Sequence, residues 1–323
     1  MTIESATLTD REFDRFGSYK IAVLVPCYNE EAAVAKVVED FHIALPAAII
    51  FVFDNNSTDK TAQAARAAGA EVLQETHRGK GFVVRRMFSD VEADIYVLVD
   101  GDATYDASSV RRMIVRLLEK RLDMVVANRV ECARAAYRAG HRTGNKLLTA
   151  FISSMFGSNF NDMLSGYRVF SRRFVKSFPV LSSGFEIETE LTVHALELGL
   201  AVEEMDTPYY PRPQGSVSKL NTWCDGFRIL ITIVSLYRAE RPLIFFTGVG
   251  AGLAVASIGL AIPIIATFLE TGLVPRLPTA VLSTGLMVLA FLSIAVGLVL
   301  DTVTRGRREV KLLAYLSHRA LGE

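Results

Sequence analysis

Between Pro242 and Leu300 the chain runs for 59 residues with only two charged side chains, Glu270 and Arg276. The stretch divides into Leu243–Leu269, 27 residues without a charge, and Leu277–Leu300, another 24. Each run exceeds the roughly 20 residues a helix needs to cross about 30 Å of hydrocarbon. Gly272, Pro275 and Pro278 between them are turn residues, so the runs read as a hairpin of two spans. A helical hairpin buried in a soluble core does not suit runs this long and this free of charge. The other 264 residues hold 68 of the 70 charged side chains, an ordinary globular proportion. A disordered chain, a secreted disulfide scaffold and a polytopic transporter are therefore excluded.

The flanks give the hairpin an expected orientation. Arg238 and Arg241 precede the first span, and Arg305, Arg307, Arg308 and Lys311 follow the second, whereas the connection has one arginine. Both ends are then cytosolic by the positive-inside rule. Glycines 248, 250, 252, 259, 285 and 297 are expected to let the helices approach closely. Trp223–Tyr237 has the spacing of an amphipathic helix, readable as interfacial or as an ordinary core helix. The expected organisation is a soluble domain at 1–221, an interfacial helix at 222–241, two spans at 242–300 and a basic cytosolic tail at 301–323. Met1–Lys20 is polar and acidic, unlike a signal or transit peptide. Cys27, Cys132 and Cys224 are widely spaced and odd in number, which suits structural thiols in a reducing compartment.

From Tyr19 onward, short apolar runs alternate with helical patterns. Strands are expected at 21–25, 49–53, 71–74, 95–99 and 124–127, with helices at 30–41, 58–68, 81–91 and 107–121. Such alternation gives an α/β domain with a mostly parallel, Rossmann-like sheet, whose ligands bind at the carboxyl ends of the strands. The polar residues fall there. The first strand runs into Pro26-Cys27-Tyr28-Asn29-Glu30-Glu31, the second into Asp54-Asn55-Asn56-Ser57-Thr58-Asp59, and the fourth into Asp100-Gly101-Asp102. Ser57 and Asp59 have a plain alternative as helix caps. Asp100 and Asp102 on a tight turn offer hard oxygen ligands for one divalent cation, its remaining positions left to phosphate oxygens; a solvated turn is the bland alternative.

These motifs, with Arg78-Gly79-Lys80-Gly81, Asp162–Arg168 and Arg212–Lys219 in order along the chain, resemble family 2 glycosyltransferases of the GT-A fold. The closer resemblance, from about Lys20 to Leu300, is to polyprenyl-phosphate glycosyltransferases related to dolichol-phosphate mannose synthase with two C-terminal transmembrane helices. It implies that Pro26, Tyr28 and Glu30 line a nucleoside pocket, that Asp54 accepts a hydrogen bond from the base, and that Lys80 lies near the nucleotide. It also implies that Asp100 and Asp102 contact Mg2+ or Mn2+ at the diphosphate. Arg129 and Arg142, with Asn145 nearby, match acceptor-phosphate positions, and Arg212 and Lys219 flank a loop that closes over the diphosphate in relatives. Asp162 is expected to hold an arginine or a sugar hydroxyl. Glu186, Glu188 and Glu190 sit in a helix-like stretch and are read by default as solvated helix charges, with the alternative that one of them meets the sugar. Thr104 stands where mannose synthases with Asp-x-Asp-Leu-Gln have a metal-binding glutamine, which favours a UDP-hexose or UDP-N-acetylhexosamine donor.

Residues 128–176 carry nine Lys or Arg against Glu131 and Asp162, a local excess of about seven positive charges suited to a lipid phosphate. Arg172, Arg173 and Lys176 have the alternative of a general basic face. The expected reaction is inverting transfer of one sugar to polyprenyl phosphate at the cytosolic membrane face. The alternatives are a GDP-mannose-using mannosyltransferase of the same class, an enzyme extending a polysaccharide, and a non-catalytic nucleotide-sugar-binding membrane protein. The expected partners are the nucleotide sugar, the lipid acceptor and the membrane, with no nucleic acid. Family likeness adds a homo-oligomer, with a tetramer favoured.

Overall fold

The computed structural model describes residues 19–131, 162–184, 186–213 and 234–321. They fall into two compact units, one from residues up to Ile229 together with Lys311–Glu323, the other Leu230–Val310.

In the first unit, the described strands form one seven-stranded sheet in the order β3-β2-β1-β4-β6-β5-β7. Its elements are β1 (Ile21–Cys27), α1 (Val34–Ala44), β2 (Ile49–Asp54), α2 (Thr61–Ala67), β3 (Glu71–Gln74), α3 (Lys80–Asp90), β4 (Ile95–Leu98), a 3-10 turn at Ala107–Ser109, α4 (Val110–Glu119), β5 (Met124–Glu131), β6 (Arg168–Ser171), α5 (Arg172–Ser177), α6 (Ile187–Leu198) and β7 (Val202–Tyr209). β6 runs antiparallel to both β4 and β5, whereas the other pairings are parallel. The mostly parallel α/β architecture expected from the sequence is therefore present. The five expected strands all occur, but β6 and β7 carry no comparable signal. β6 is four residues long and buried throughout, so it has no polar alternation to mark it.

Alternation in β1 shows how the sheet is held. Val23, Val25 and Cys27 enter a core cluster with α1 residues Val34, Val38 and Phe41, while Ala22 and Leu24 enter a second cluster with Val84 and Met87 of α3. The second cluster carries an aromatic run in which Phe170 and Phe174 stack at 4.9 Å between centroids, and Phe88 meets Phe170 edge-on at 5.9 Å. Each fully buried side chain of this kind contributes about 1.5–3 kcal/mol of transfer free energy.

Register then places the site. Cys27 pairs with Asp54, and Leu24 pairs with Leu98, so the loops that follow β1, β2 and β4 leave the same edge of the sheet side by side. Because β6 is antiparallel, the chain enters it from that edge at Arg168 and leaves it at the opposite edge, where α5 begins.

In the second unit, α7 (Pro242–Thr271) and α8 (Leu277–Leu316) are both long and apolar enough to cross a membrane. The expected glycine pattern holds only in part. A Cβ on Gly250 would meet the Ala290 carbonyl at 2.9 Å, and one on Gly297 would meet Phe246 at 3.0 Å, so these two are the close approaches. Gly248, Gly252, Gly259 and Gly285 have nothing within 4 Å of a would-be Cβ. A reciprocal pair also joins the helices: Ser257 donates to the Ser283 carbonyl at 2.7 Å and Ser283 to the Ser257 carbonyl at 3.0 Å. Residues 234–240 are helical, Arg241 breaks the helix ahead of α7, and residues 222–233 of the expected interfacial helix lie outside the described residues. The tail expected from residue 301 continues α8 as helix to Leu316, and from Lys311 onward it belongs to the first unit.

Candidate active site

The loop after β1 and the loop after β2 lock together through side chains. Asn29 N–H donates to Ser57 Oγ at 2.9 Å, Glu30 N–H to Thr61 Oγ1 at 2.8 Å, and Thr58 N–H to Asn29 Oδ1 at 2.7 Å. Asn29 and Asn56 both adopt positive φ (53° and 60°), a conformation asparagine tolerates better than most residues. Asp59 accepts the Thr61 N–H at 3.0 Å just before α2, but the N-cap position of that helix is Lys60 and no side chain caps it. Pro26 and Tyr28 are half-buried and Glu30 is buried beside them. Asp54, also buried, has an Oδ1 with no hydrogen-bond partner. An orphaned buried acceptor is costly, so its presence at a strand end marks a place for a ligand donor.

Asn55 is a residue the sequence reading left without a role. Its side chain donates to the Glu75 and His77 carbonyls at 3.2 and 2.6 Å, and its Oδ1 accepts the Gly79 N–H at 2.8 Å. It thereby fixes the segment that delivers Lys80. Gly79 has φ 131°, and a Cβ at either Gly79 or Gly81 would collide with the backbone carbonyls of Ser183 and Ser182, so the loop requires both glycines.

Lys80 lies between two carboxylates, 2.5 Å from Asp100 Oδ1 and in contact with Glu188. Burial opposes its charge, but the two carboxylates outweigh that and hold its pKa above the usual lysine range. Glu188 corrects the default reading of a solvated helix charge: it is 4% exposed at the first turn of α6. Its signal was hidden because periodicity does not show which face of a short helix meets the sheet edge.

Asp102 is 5% exposed and its Oδ1 accepts the Thr104 hydroxyl at 2.6 Å, while Oδ2 pairs with Arg212 at 2.7 Å. The Thr104 hydroxyl thus orients the carboxylate. Burial, then the neighbouring Asp100 charge, raise the Asp102 pKa, partly countered by Arg212. Gly101 and Gly166 are forced by contact: a Cβ on the first would strike Cys27 Sγ, and on the second the Asp100 carboxylate.

A hard dication fits beside these two carboxylates, one buried and one half-buried, because its charge would relieve the repulsion that Asp100 exerts on Asp102. No cluster of three or more potential ligands occurs among the described residues, so Asp100 and Asp102 could hold Mg2+ or Mn2+ only with phosphate or water oxygens completing the shell.

Asp162 engages Arg129 through both carboxylate oxygens, Nε–Oδ2 at 2.5 Å and Nη2–Oδ1 at 2.8 Å, with Arg129 also over the Tyr209 ring at 5.5 Å. Arg142, Asn145 and Lys219 lie outside the described residues. The basic stretch is less available than its count suggests. Arg168 is fully buried, Arg173 pairs with Asp123 at 2.6 Å, and Arg172 and Lys176 pair with Glu92 at 2.9 and 2.7 Å. The antiparallel β6 carries the last three cations to the edge opposite the site.

Comparison with known proteins places the chain in a family. The family model for glycosyl transferase family 2 matches residues 22–178. A glycosyltransferase of Haloferax volcanii, AglJ, is 34% identical over 244 residues, 75% of this chain and 80% of that protein. The chain belongs to glycosyl transferase family 2. It is also 57% identical to an uncharacterised Shigella flexneri protein over 157 residues, 49% of this chain and 96% of that one. A dolichyl-phosphate hexose transferase of Haloferax volcanii is 24% identical over 234 residues, 72% of this chain and 99% of that one. Among solved structures, glucosyl-3-phosphoglycerate synthase from Mycobacterium tuberculosis, in complex with Mn2+, UDP and its product, superposes with a TM-score of 0.60. That match covers 73% of this chain and 85% of the synthase at 21% identity, a likeness of fold. As a family 2 member, the chain is a glycosyltransferase.

Proposed function

We propose that this glycosyltransferase moves a single sugar, with inversion, from a nucleotide sugar to polyprenyl phosphate at the cytosolic face of a membrane, in a metal-dependent reaction. The observation that carries the reading is the charge arrangement at one sheet edge: Asp100 and Asp102 each face a cation, Lys80 and Arg212, that can turn to phosphate when the carboxylates take a metal. Asp54 then meets the base with its unpartnered oxygen. Thr104, in place of a glutamine, supports a UDP-hexose or UDP-N-acetylhexosamine. The lipid acceptor is supported by the dolichyl-phosphate hexose transferase relative and by two helices of 30 and 40 residues with apolar stretches long enough to span a bilayer.

The acceptor phosphate is already anionic at neutral pH, so its oxygen can attack the anomeric carbon without a general base. As the new C–O bond forms, the bond to the nucleoside diphosphate breaks and the diphosphate leaves with the electron pair. A bound Mg2+ or Mn2+ supplies charge neutralisation for that leaving group. Asp162, with both oxygens on Arg129, is suited to aiming the guanidinium at the acceptor phosphate rather than to taking a proton.

The test is transfer by the purified full-length chain in bilayer nanodiscs, given a panel of nucleotide sugars, Mn2+ and undecaprenyl phosphate. A lipid-linked sugar that disappears on chelation supports the reading. Transfer only to a growing saccharide, or donor binding without turnover on any acceptor, overturns it.

A further inference from the structure

Among the described residues, Arg168 is the largest side chain that is fully buried, and no carboxylate there accepts from it. Its five N–H groups are nevertheless matched by five acceptors. Nε donates to the Ser165 carbonyl at 2.9 Å, and Nη2 to the Met163 carbonyl at 2.6 Å and the Glu188 carbonyl at 2.9 Å. Nη1 reaches Thr192 Oγ1 at 2.9 Å and Met124 Sδ at 3.5 Å. Burying a guanidinium on neutral acceptors is costly, and burial pulls its pKa down to about 10. A side chain kept at that cost is doing something a packed leucine could not.

The acceptors show what it is. Met163 and Ser165 belong to the loop that places Asp162 on Arg129 and Gly166 against the Asp100 carboxylate. Glu188 and Thr192 are successive turns of α6, and Thr192 also donates back to the Glu188 carbonyl at 3.1 Å. One rigid, planar group therefore ties the loop on the Asp100 side to the helix turn that carries the Glu188 carboxylate to Lys80. Lysine, with three donors on a flexible stem, cannot bridge both segments.

We infer that Arg168 is a positioning residue for the donor site: by fixing the first turn of α6 against the 163–166 loop, it holds Glu188 on Lys80 and keeps Lys80 shared between Glu188 and Asp100. Without that sharing, Lys80 becomes the full partner of Asp100 and competes with the dication for it. The inference rests on reading this edge as the nucleotide and metal site, and it is independent of which acceptor the enzyme uses.

A double-mutant cycle on the full-length chain tests it, read as Mn2+-dependent binding of UDP and GDP by calorimetry, with thermal unfolding in parallel. Arg168→Lys is expected to weaken nucleotide binding about 20-fold in the wild-type background and less than about 3-fold in Glu188→Gln, because residues acting through one contact are non-additive. Thr192→Val, a milder change at the same junction, is expected to cost about 5-fold alone and under about 2-fold in Glu188→Gln, and it decides the matter should Arg168→Lys not fold. Equal losses in both backgrounds, or losses that follow the unfolding temperature alone, would overturn the inference. A wild-type chain that binds neither nucleotide would overturn the site reading beneath it. Nucleotide binding without transfer to lipid would count against the proposed acceptor and leave the cycle readable.

Discussion

The two edges of the sheet treat their carboxylates in opposite ways. At the edge away from the site, Asp123 is 1% exposed and completely engaged: Oδ1 accepts from Ser171 Oγ at 2.9 Å and Arg173 Nε at 2.6 Å, and Oδ2 from Arg173 Nη2 at 3.1 Å and Tyr315 Oη at 2.9 Å. Tyr315 and Lys311, which pairs with Glu197 at 2.7 Å, belong to the C-terminal turns of α8 that are part of the first unit, so Asp123 helps hold those turns within it. At the site edge, Asp54 keeps an unpartnered oxygen, and the partner of Asp102 is an arginine on the segment after β7. A carboxylate closed off on all sides stabilises the fold; one left with an orphaned oxygen or an exchangeable cation is arranged for a ligand.

Substitutions at the two edges should therefore separate chemistry from stability. Asp102→Asn is expected to lower transfer by about 1,000-fold, equivalent to about 4 kcal/mol of transition-state stabilisation, since it removes a carboxylate proposed to bind the metal. Its unfolding temperature should stay within about 3 °C of wild type, because the change also relieves repulsion from Asp100. A large loss of stability with activity intact would erase the distinction.

Asp123→Ala should do the reverse. Leaving Arg173 and Tyr315 without their shared acceptor costs about 3 kcal/mol, visible as a lower denaturation midpoint, while the folded fraction still binds nucleotide.

His194 extends the comparison to pH. It lies edge-on to Phe174 and Phe178, neither ring nitrogen has a partner, and burial, then the nearby Lys311 charge, push its pKa down from 6.5 to about 3. The unfolded chain therefore takes up the proton first as pH falls below 6.5, so stability declines from there until the folded imidazole also titrates near 3. Between pH 7.5 and 5 the loss attributable to this group is about 2 kcal/mol. Replacing it by leucine should flatten that part of the profile; an unchanged slope would show that His194 is not the source.

Asp54→Asn probes the orphaned acceptor and should weaken nucleotide binding by about 10-fold, or 1.4 kcal/mol, because the amide offers a weaker, uncharged acceptor. Stability should be unchanged or slightly higher, since the buried charge is gone. An unaltered affinity would remove Asp54 from the pocket.

Much of this was readable without coordinates, and for identifiable reasons. The loops after β1, β2 and β4 announced themselves because polar residues interrupt strongly apolar strands, and the parallel sheet brings consecutive strand ends to one edge. Which of Glu186, Glu188 and Glu190 turns inward, and what Asn55 does, were not readable. Each of the three looks like any exposed helix glutamate, and Asn55 depends on backbone carbonyls twenty residues away. The basic stretch misled by its count, since Arg168, Arg172, Arg173 and Lys176 are committed elsewhere in the fold.

Local pattern alone determined the class of this protein: apolar run length defines two membrane-length helices, and strand–helix alternation defines a mostly parallel sheet with an acidic carboxyl edge. Tertiary structure decided which charges share that edge. A single antiparallel strand carries three cations to the far side and leaves Arg168 buried beneath the site, and strand direction is set by long-range pairing that no local window of sequence encodes.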